Sequence, residues 1–436
     1  MAKKFYLLLL PIVIGFSLIS LQVNAAPRLQ KWQNEKPVIV IDPGHGGDNE
    51  GTTENNHVEK NMTMITALSM YHELSKYDEL DVYLTHAEDK DMSLKQRAKF
   101  ASDVNADMLI SLHYNASVDH NLFGAEAWIP YSFPFNNYSY QLAYEFLKPL
   151  KEKGIFIRGI KTKLNDKGTD YYGIIRESTA LNIPSVILEH CHVDEDRDAV
   201  FCASEENLIQ FGKDDAHAVL QYLGINANNS IENNLQEVSK ESAVLSTYAD
   251  ETSPDICSIE WKSEDIENGI LSFVVSAADY DSGLIYYDYS IDGGVTFSEL
   301  NPWPGSDALQ GCYEDTFTWN ITIPKGSSPS VILRAYNLFD LFTESNLYVS
   351  PHVFGKEETT TEENVQSIEA VTIEAETLYT EEQESKETKH EVKFWIFIVL
   401  SVFIAFGFIL LALTSQIGVY LRRKKRKAGK RRRQQK

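Results

Sequence analysis

Two histidines and two glutamates in the first half of the chain have the types and settings that metal-assisted hydrolysis requires. His45 lies in VIVIDPGHGG, a β-branched run that passes into a glycine-rich turn. Glu59 follows fourteen residues later in HVEKN, His113 comes directly after Met108–Leu112 in LISLHYNAS, and Glu189 ends SVILEH. Two imidazoles and a carboxylate make a three-ligand zinc set that leaves the fourth position to water, the pattern of catalytic rather than structural zinc. Zinc held this way lowers the pKa of its water to about 7 and polarises a carbonyl. A second carboxylate, Glu189, would then be general base to that water and proton donor to a leaving amine. Each residue also has a plainer explanation. His45 could be a turn residue, His113 a satisfied histidine at a strand end, and Glu59 a favourable charge at a helix start. Glu189 could pair with a lysine. His57, two residues before Glu59, is a rival ligand in a polar loop. Spacing alone leaves these alternatives open.

Residues so far apart in sequence converge only if the fold gathers strand ends. The first half alternates strand and helix signals. Val38–Ile41, Asp81–Thr85, Met108–Leu112, Ala125–Ile129, Tyr171–Ile175 and Ser185–Leu188 read as strands. Lys60–Tyr77 carries Met64, Leu68, Tyr71 and Leu74 at helical spacing. Ser93 is an N-cap before Leu94, Arg97, Ala98 and Ala101, and Tyr138–Leu150 and Glu206–Leu223 are further helices. The expected fold is α/β, a mainly parallel twisted sheet with flanking helices, its site at the carboxyl ends of the strands.

The rest of the chain divides by composition. Residues 1–25 have the basic start, apolar run and small-residue end of a signal peptide. Residues 27–224 are the α/β domain and 225–250 a linker rich in Asn, Ser and Glu. Residues 251–353 carry short strand-like pieces around an Asp292-Gly293-Gly294 turn, which predicts an all-β sandwich. The run ADYDSGLIYYDYSIDGGVTF resembles bacterial immunoglobulin-like modules. Residues 354–392, dominated by Glu and Thr, read as a disordered stalk. Residues 394–420 hold no ionisable group except Tyr420 and are long enough for one transmembrane helix, and 421–436 are a basic tail. The positive-inside rule puts that tail in the cytoplasm and the α/β domain outside, on a single-pass cell-membrane protein.

The net charge is −23, yet Arg422–Lys436 carry eleven cations and no acid, which leaves the preceding residues at −34. A basic run beside a membrane span points to anionic lipid, not nucleic acid. All four cysteines precede the apolar segment, where disulfides are permitted. Cys257 and Cys312 could bridge the sheets of the β module, and whether Cys191 and Cys202 pair locally is left open.

DPGHGG, Glu59 with Lys60 and Asn61 behind it, SLHYNA, IPSVILEH and the intervening LKQRAKFAS occur in the order of a known family. Over about Pro37–Leu223 the chain resembles the zinc-dependent N-acetylmuramoyl-L-alanine amidases of the type 3 catalytic family. The resemblance implies a zinc hydrolase that cuts the peptidoglycan amide between N-acetylmuramic acid and L-alanine, in cell-wall remodelling or daughter-cell separation. It makes His45, Glu59 and His113 the zinc ligands and Glu189 the catalytic glutamate. Asp42, Asn115 and Arg176 are further candidates for substrate contact or for support of the ligands. Two departures stand out. His190-Cys191-His192 replaces the family's small-then-aromatic stretch after the glutamate, which would put Cys191 on the face of Glu189. His86 stands where the family commonly has arginine. The aromatic segment Tyr131–Tyr140 would cover the cleft or grip substrate. Two other functions keep the same fold: a non-catalytic wall-binding or signalling protein, and a metallopeptidase acting on another amide.

Overall fold

The structure, a computed structural model, describes residues 36–225 and 247–355. The apolar run at Val38 becomes β1 (Val38–Pro43), buried from Ile39 onward, as a strand covered on both faces must be. It is joined by β2 (Asp81–Leu84), β3 (Met108–Asn115), β4 (Ala125–Trp128), β5 (Ile157–Lys161) and β6 (Ser185–His192) in the order β2-β1-β3-β6-β4-β5. Four of the five pairings are parallel, and only β4 runs against β6. The sheet is mixed and mainly parallel.

Helices cover both faces. On one lie α1 (Glu59–Leu74), α3 (Phe135–Glu152) and α6 (Glu205–Leu223), which bury Met70, Phe146 and Val219 against Ile41, Ile110 and Leu188. On the other lie α2 (Leu94–Asp103) and α4 (Gly173–Ala180), which bury Ala101, Ile174 and Ile175 against Val40, Leu109 and Ile187. Ser93 caps α2 in a capping box with Gln96. A short α5 (Asp196–Ala199) follows β6.

Two expected elements differ. Tyr171–Ile175 is not a strand: its apolar residues open α4, where Ile174, Ile175 and Ser178 share the buried face. A short apolar pair cannot distinguish the two states by periodicity alone. Edge strand β5, in contrast, hides behind Arg158, Gly159 and Lys161, residue types that do not read as a buried strand.

Residues 256–349 form two antiparallel sheets. One has the order β11-β8-β7, with β7 (Ile256–Asp265), β8 (Ile270–Ala278) and β11 (Glu314–Thr322). The other has the order β10-β9-β12-β13, with β9 (Leu284–Ser290), β10 (Asn301–Pro302), β12 (Ser330–Asn337) and β13 (Phe342–Glu344); β14 (Tyr348–Val349) pairs with β12. Phe273, Trp319, Leu333 and Ala335 from the two sheets share one core, so the module is a sandwich. The predicted VTFSEL strand is a loop, and the charged β7 was not expected. The proposed Cys257–Cys312 bridge is corrected: all four cysteines are free. Cys257 pairs in register with Ala277 on one side of β8, while β11, which follows Cys312, lies on the other side. Two strand spacings amount to about 10 Å, beyond the roughly 7 Å Cα limit for a disulfide.

The sandwich is packed directly on the α/β domain. Phe123 shares a buried cluster with Ile285, Tyr286, Leu300 and Leu338 of the module. Gly159, at φ 106°, leaves room where a Cβ would meet Leu338 at 2.9 Å. The Arg197 guanidinium lies 3.7 Å over the Phe123 ring and donates to Leu300 O. The signal segment, most of the linker, and the stalk, apolar segment and basic tail fall outside the described residues. Among those described, no helix is long and apolar enough to cross a membrane.

Candidate metal centre and its cleft

His45, Glu59 and His113 come together at the carboxyl edge of the sheet, their ligand atoms all within 4.8 Å of one another. His45 follows β1 in a left-handed backbone conformation, φ 64°. A non-glycine residue there is uncommon and must be held. Two contacts hold it: Arg97 Nη2 donates to the His45 carbonyl, and Nδ1 pairs with Asn49 Oδ1 at 3.0 Å. The second contact leaves Nε2 free to face Glu59. Gly44 carries no side chain because a Cβ there would lie 2.4 Å from the His113 ring. Gly51 does the same for Glu59 and His45, with a φ of 71° as well. These glycines form a cradle that side chains would fill.

Glu59 opens α1 and sits between the imidazoles. Its Oε2 is 3.0 Å from His45 Nε2 and its Oε1 3.0 Å from His113 Nδ1. The amides of Thr52 and Tyr114 also donate to this carboxylate. Burial works against ionisation, but the hydrogen bonds and charges of His113 and His45 hold Glu59 well below the usual carboxylate range. Burial lowers the proton affinity of His45, yet Glu59 more than compensates and the imidazole ends above its ordinary value. Two nitrogens and a carboxylate, convergent and backed by glycines, fit zinc.

Glu189 lies in register beside His113 on β3 and beside Glu126 on β4. Its Oε2 is buried without a hydrogen-bond partner. Burial, then the charges of Glu59 and Glu126, push its proton affinity well up. No lysine pairs with it among the described residues. A buried carboxyl with raised proton affinity beside a ligand cluster is suited to take and return a proton.

The supporting residues divide as the geometry requires. Asp42 touches no imidazole. It accepts from Thr85, Ser111 and Arg97, and Arg97 in turn donates to the carbonyls of Pro43 and His45. It therefore fixes the turn, not the ring. Asn115 donates to Glu126 at 2.9 Å. Arg176 spends Nη1 on the carbonyls of Asp170 and Tyr171. His57 stands outside the cluster. His86 is buried next to Thr85 and the Gly46 turn, away from the ligand set, and burial and Arg97 lower its proton affinity.

The His190-Cys191-His192 segment supplies core, not ligands. His190 bonds Asp215 at 3.0 Å, donates through Nδ1 to the His113 carbonyl, and stacks on Tyr114. Cys191 is fully buried against Cys202, and that contact with burial raises its thiol well up. It does not approach the metal site, contrary to the strand-face expectation, because β3 and β6 lose register after His113 and Glu189. His192 bonds the Gly124 carbonyl.

Sequence reading missed a second charged cluster. Glu126 accepts from Lys161 at 2.8 Å and Arg158 at 3.0 Å, and Arg158 also bonds Asp340 of the sandwich at 2.7 Å. Glu126, Arg158 and Lys161 are all buried. Lys161 and Arg158 hold Glu126 well below the usual range against the cost of burial. The available signal was a glutamate within the apolar AEAW strand, since a buried acid requires a cation.

An α/β domain with two imidazoles and a carboxylate gathered at its strand ends, and a buried carboxyl beside them, has the make-up of a metal-dependent hydrolase. Residues 39–221 match the family described as N-acetylmuramoyl-L-alanine amidase. The N-acetylmuramoyl-L-alanine amidase CwlM of Bacillus licheniformis is 28% identical over 196 residues, 44% of this chain and 70% of that protein. The sporulation-specific N-acetylmuramoyl-L-alanine amidase of Bacillus subtilis is 37% identical over 79 residues, 18% of this chain and 31% of that protein. Among solved structures, the catalytic domain of CwlV from Bacillus (Paenibacillus) polymyxa is 25% identical with a TM-score of 0.39, covering 44% of this chain and 99% of that one. Over residues 39–221, less than half of its length, the chain is thus similar to N-acetylmuramoyl-L-alanine amidases.

Proposed function

We propose that the α/β domain is a zinc amidase that hydrolyses the bond between N-acetylmuramic acid and L-alanine in peptidoglycan. The observation that carries this reading is the convergence of His45, Glu59 and His113 beside the unpaired carboxyl of Glu189. Zinc bound there would acidify a water and polarise the scissile carbonyl. His45, Glu59 and His113 would hold the ion, Asn49 orients the His45 ring, and Arg97 with Asp42 fixes the turn that presents it. Glu189 takes the proton of the attacking water and passes it to the amine of L-alanine as the amide breaks. Its raised proton affinity suits the second half of that transfer. The activity serves wall remodelling or daughter-cell separation.

The same reading places the protein at the cell surface. A signal segment at 1–25 exports it, residues 394–420 anchor it in one pass, 354–392 lift the folded part off the membrane, and the tail at 421–436 rests on anionic lipid. The sandwich resembles an immunoglobulin-like module.

Digestion of purified wall by the protein and by Glu189→Gln, read by mass spectrometry, tests the reaction. Release of intact stem peptides by the parent, and a loss of about a hundredfold or more in the variant, is the expected result. Cleavage within the stem would instead make the protein a metallopeptidase. An inactive zinc-loaded parent would make it a binding or signalling protein.

A further inference from the structure

The sandwich contributes to the cleft as well as to the interface. A cavity of about 930 Å³ starts at Glu189 and runs between the two domains. Trp128, Lys163 and Tyr172 line it from the α/β domain, and Tyr248, Glu251 and Phe339 line it from the other side. That size is in the range of a ligand site, not of a packing defect.

The second wall is fixed in place. Arg158 and Asp340 form an ion pair across the boundary, and the Arg158 side chain is only 3% exposed. Lys161 sits between two rings, 5.7 Å from the centroid of Trp128 and 5.9 Å from that of Phe339 in the sandwich. The Tyr286 hydroxyl donates to the Phe123 carbonyl, and Thr162 donates to Thr247 O through both its amide and its hydroxyl. With the apolar cluster around Phe123, these contacts join the two domains into one cleft. Tyr248 in turn rests on Tyr131 of the α/β domain, ring centroids 4.8 Å apart. This is where the aromatic segment beginning at Tyr131 meets the cleft.

We infer that the sandwich is one wall of the substrate cleft and that this part of the cleft takes the peptide stem rather than the glycan. The inference rests on the amidase reading above. The charges of the lining support it. Lys163 and Glu251, both exposed, offer ions of opposite sign along the cavity, and neither forms an ion pair among the described residues. An N-acetylated glycan whose lactyl groups are held in amide linkage has no ionised group for them. A stem peptide has carboxylates and, where its third residue is a diamino acid, an amine. Complementary charge of this kind sets specificity and register.

The test measures binding to the full chain by calorimetry with two probes. One is the synthetic tetrapeptide L-alanyl-D-isoglutamyl-L-lysyl-D-alanine. The other is the peptide-free disaccharide of N-acetylglucosamine and N-acetylmuramic acid with its lactyl carboxyl blocked as the methylamide, so that it carries no charge. Tyr248→Ala should weaken the tetrapeptide about tenfold, and Glu251→Lys, an exposed change that leaves folding intact, about fivefold. Both should leave the disaccharide unchanged. Unaltered tetrapeptide binding in both variants, loss of the disaccharide instead, or no tetrapeptide binding by the parent would overturn the inference. The tetrapeptide lacks the muramyl amide, so this result does not depend on turnover. A protein that binds it through this wall but cleaves no muropeptide would sink the amidase reading alone.

Discussion

Glu59 and Glu126 are buried to the same degree, each 3% exposed, and both are held well below the usual carboxylate range. Their partners differ. Glu126 has the permanent cation of Arg158 and the ammonium of Lys161, whose proton affinity burial lowers, so its site is complete without a metal. Glu59 has two imidazoles, which are cations only when protonated, so its site is complete only with protons or a metal ion. Glu189 lies in register between His113, which bonds Glu59, and Glu126, and it pairs with no cation among the described residues; burial pushes it the other way. One sheet edge thus keeps three glutamates in three settings: between two imidazoles, between two basic side chains, and without an ionic partner among the described residues. The difference comes from partner chemistry and not from depth.

The comparison breaks most visibly at Glu126. Glu126→Ala strands Lys161 in the interior and should cost about 3–5 kcal/mol, read as a drop in the denaturant midpoint. Replacing both partners, Glu126→Gln with Lys161→Met, should recover most of that loss. If the single variant is as stable as the parent, the cluster is not the closed ion network described here. At the metal side, Asn49→Ala removes the hydrogen bond that orients His45. Zinc affinity, measured by competition with a chromophoric chelator, should fall about 10–100-fold while the thermal midpoint of the zinc-free protein stays nearly constant. A fall in midpoint without a fall in affinity would make Asn49 a turn residue only.

The smallest effect is on acid stability. The proton affinity of Glu126 is depressed in the fold, so its contribution is fully present above the unfolded value of about 4.3 and is lost as pH falls. Between pH 4.3 and pH 3 the loss should be about 1.4 kcal/mol, and Glu126→Gln should flatten that limb of the stability curve. An unchanged slope in the variant would place the acid sensitivity elsewhere.

The ligand cluster was legible because each member sits at the end of an apolar run or opens a helix, and because DPGHGG carries its own turn chemistry. Most strands of the α/β sheet were legible for the same reason. The structural part of the site was not. Arg97 reads as one polar residue on an amphipathic helix, yet it is buried and holds two carbonyls of the turn. Asp42, a candidate to orient an imidazole or the nearby loop, does the second, through Arg97. Strand β5 has a positive-φ glycine and two cations whose burial makes sense only once Glu126 and Asp340 stand opposite. The docking of the sandwich depends on Phe123, Gly159 and Leu338, single residues that meet only in three dimensions. His190, part of the stretch that departs from the family pattern, is packing: it bonds Asp215 and stacks on Tyr114, contacts that sequence position alone does not disclose.

The most direct measurement is a muropeptide digest by the purified protein, first with its metal removed by chelator and then with zinc restored in stoichiometric amount. The account predicts no release of stem peptides without metal, recovery with one zinc per chain, and no recovery in His113→Ala at the same zinc concentration. Full release of stem peptides by the metal-free protein, or zinc-restored activity in His113→Ala equal to that of the parent, would contradict it.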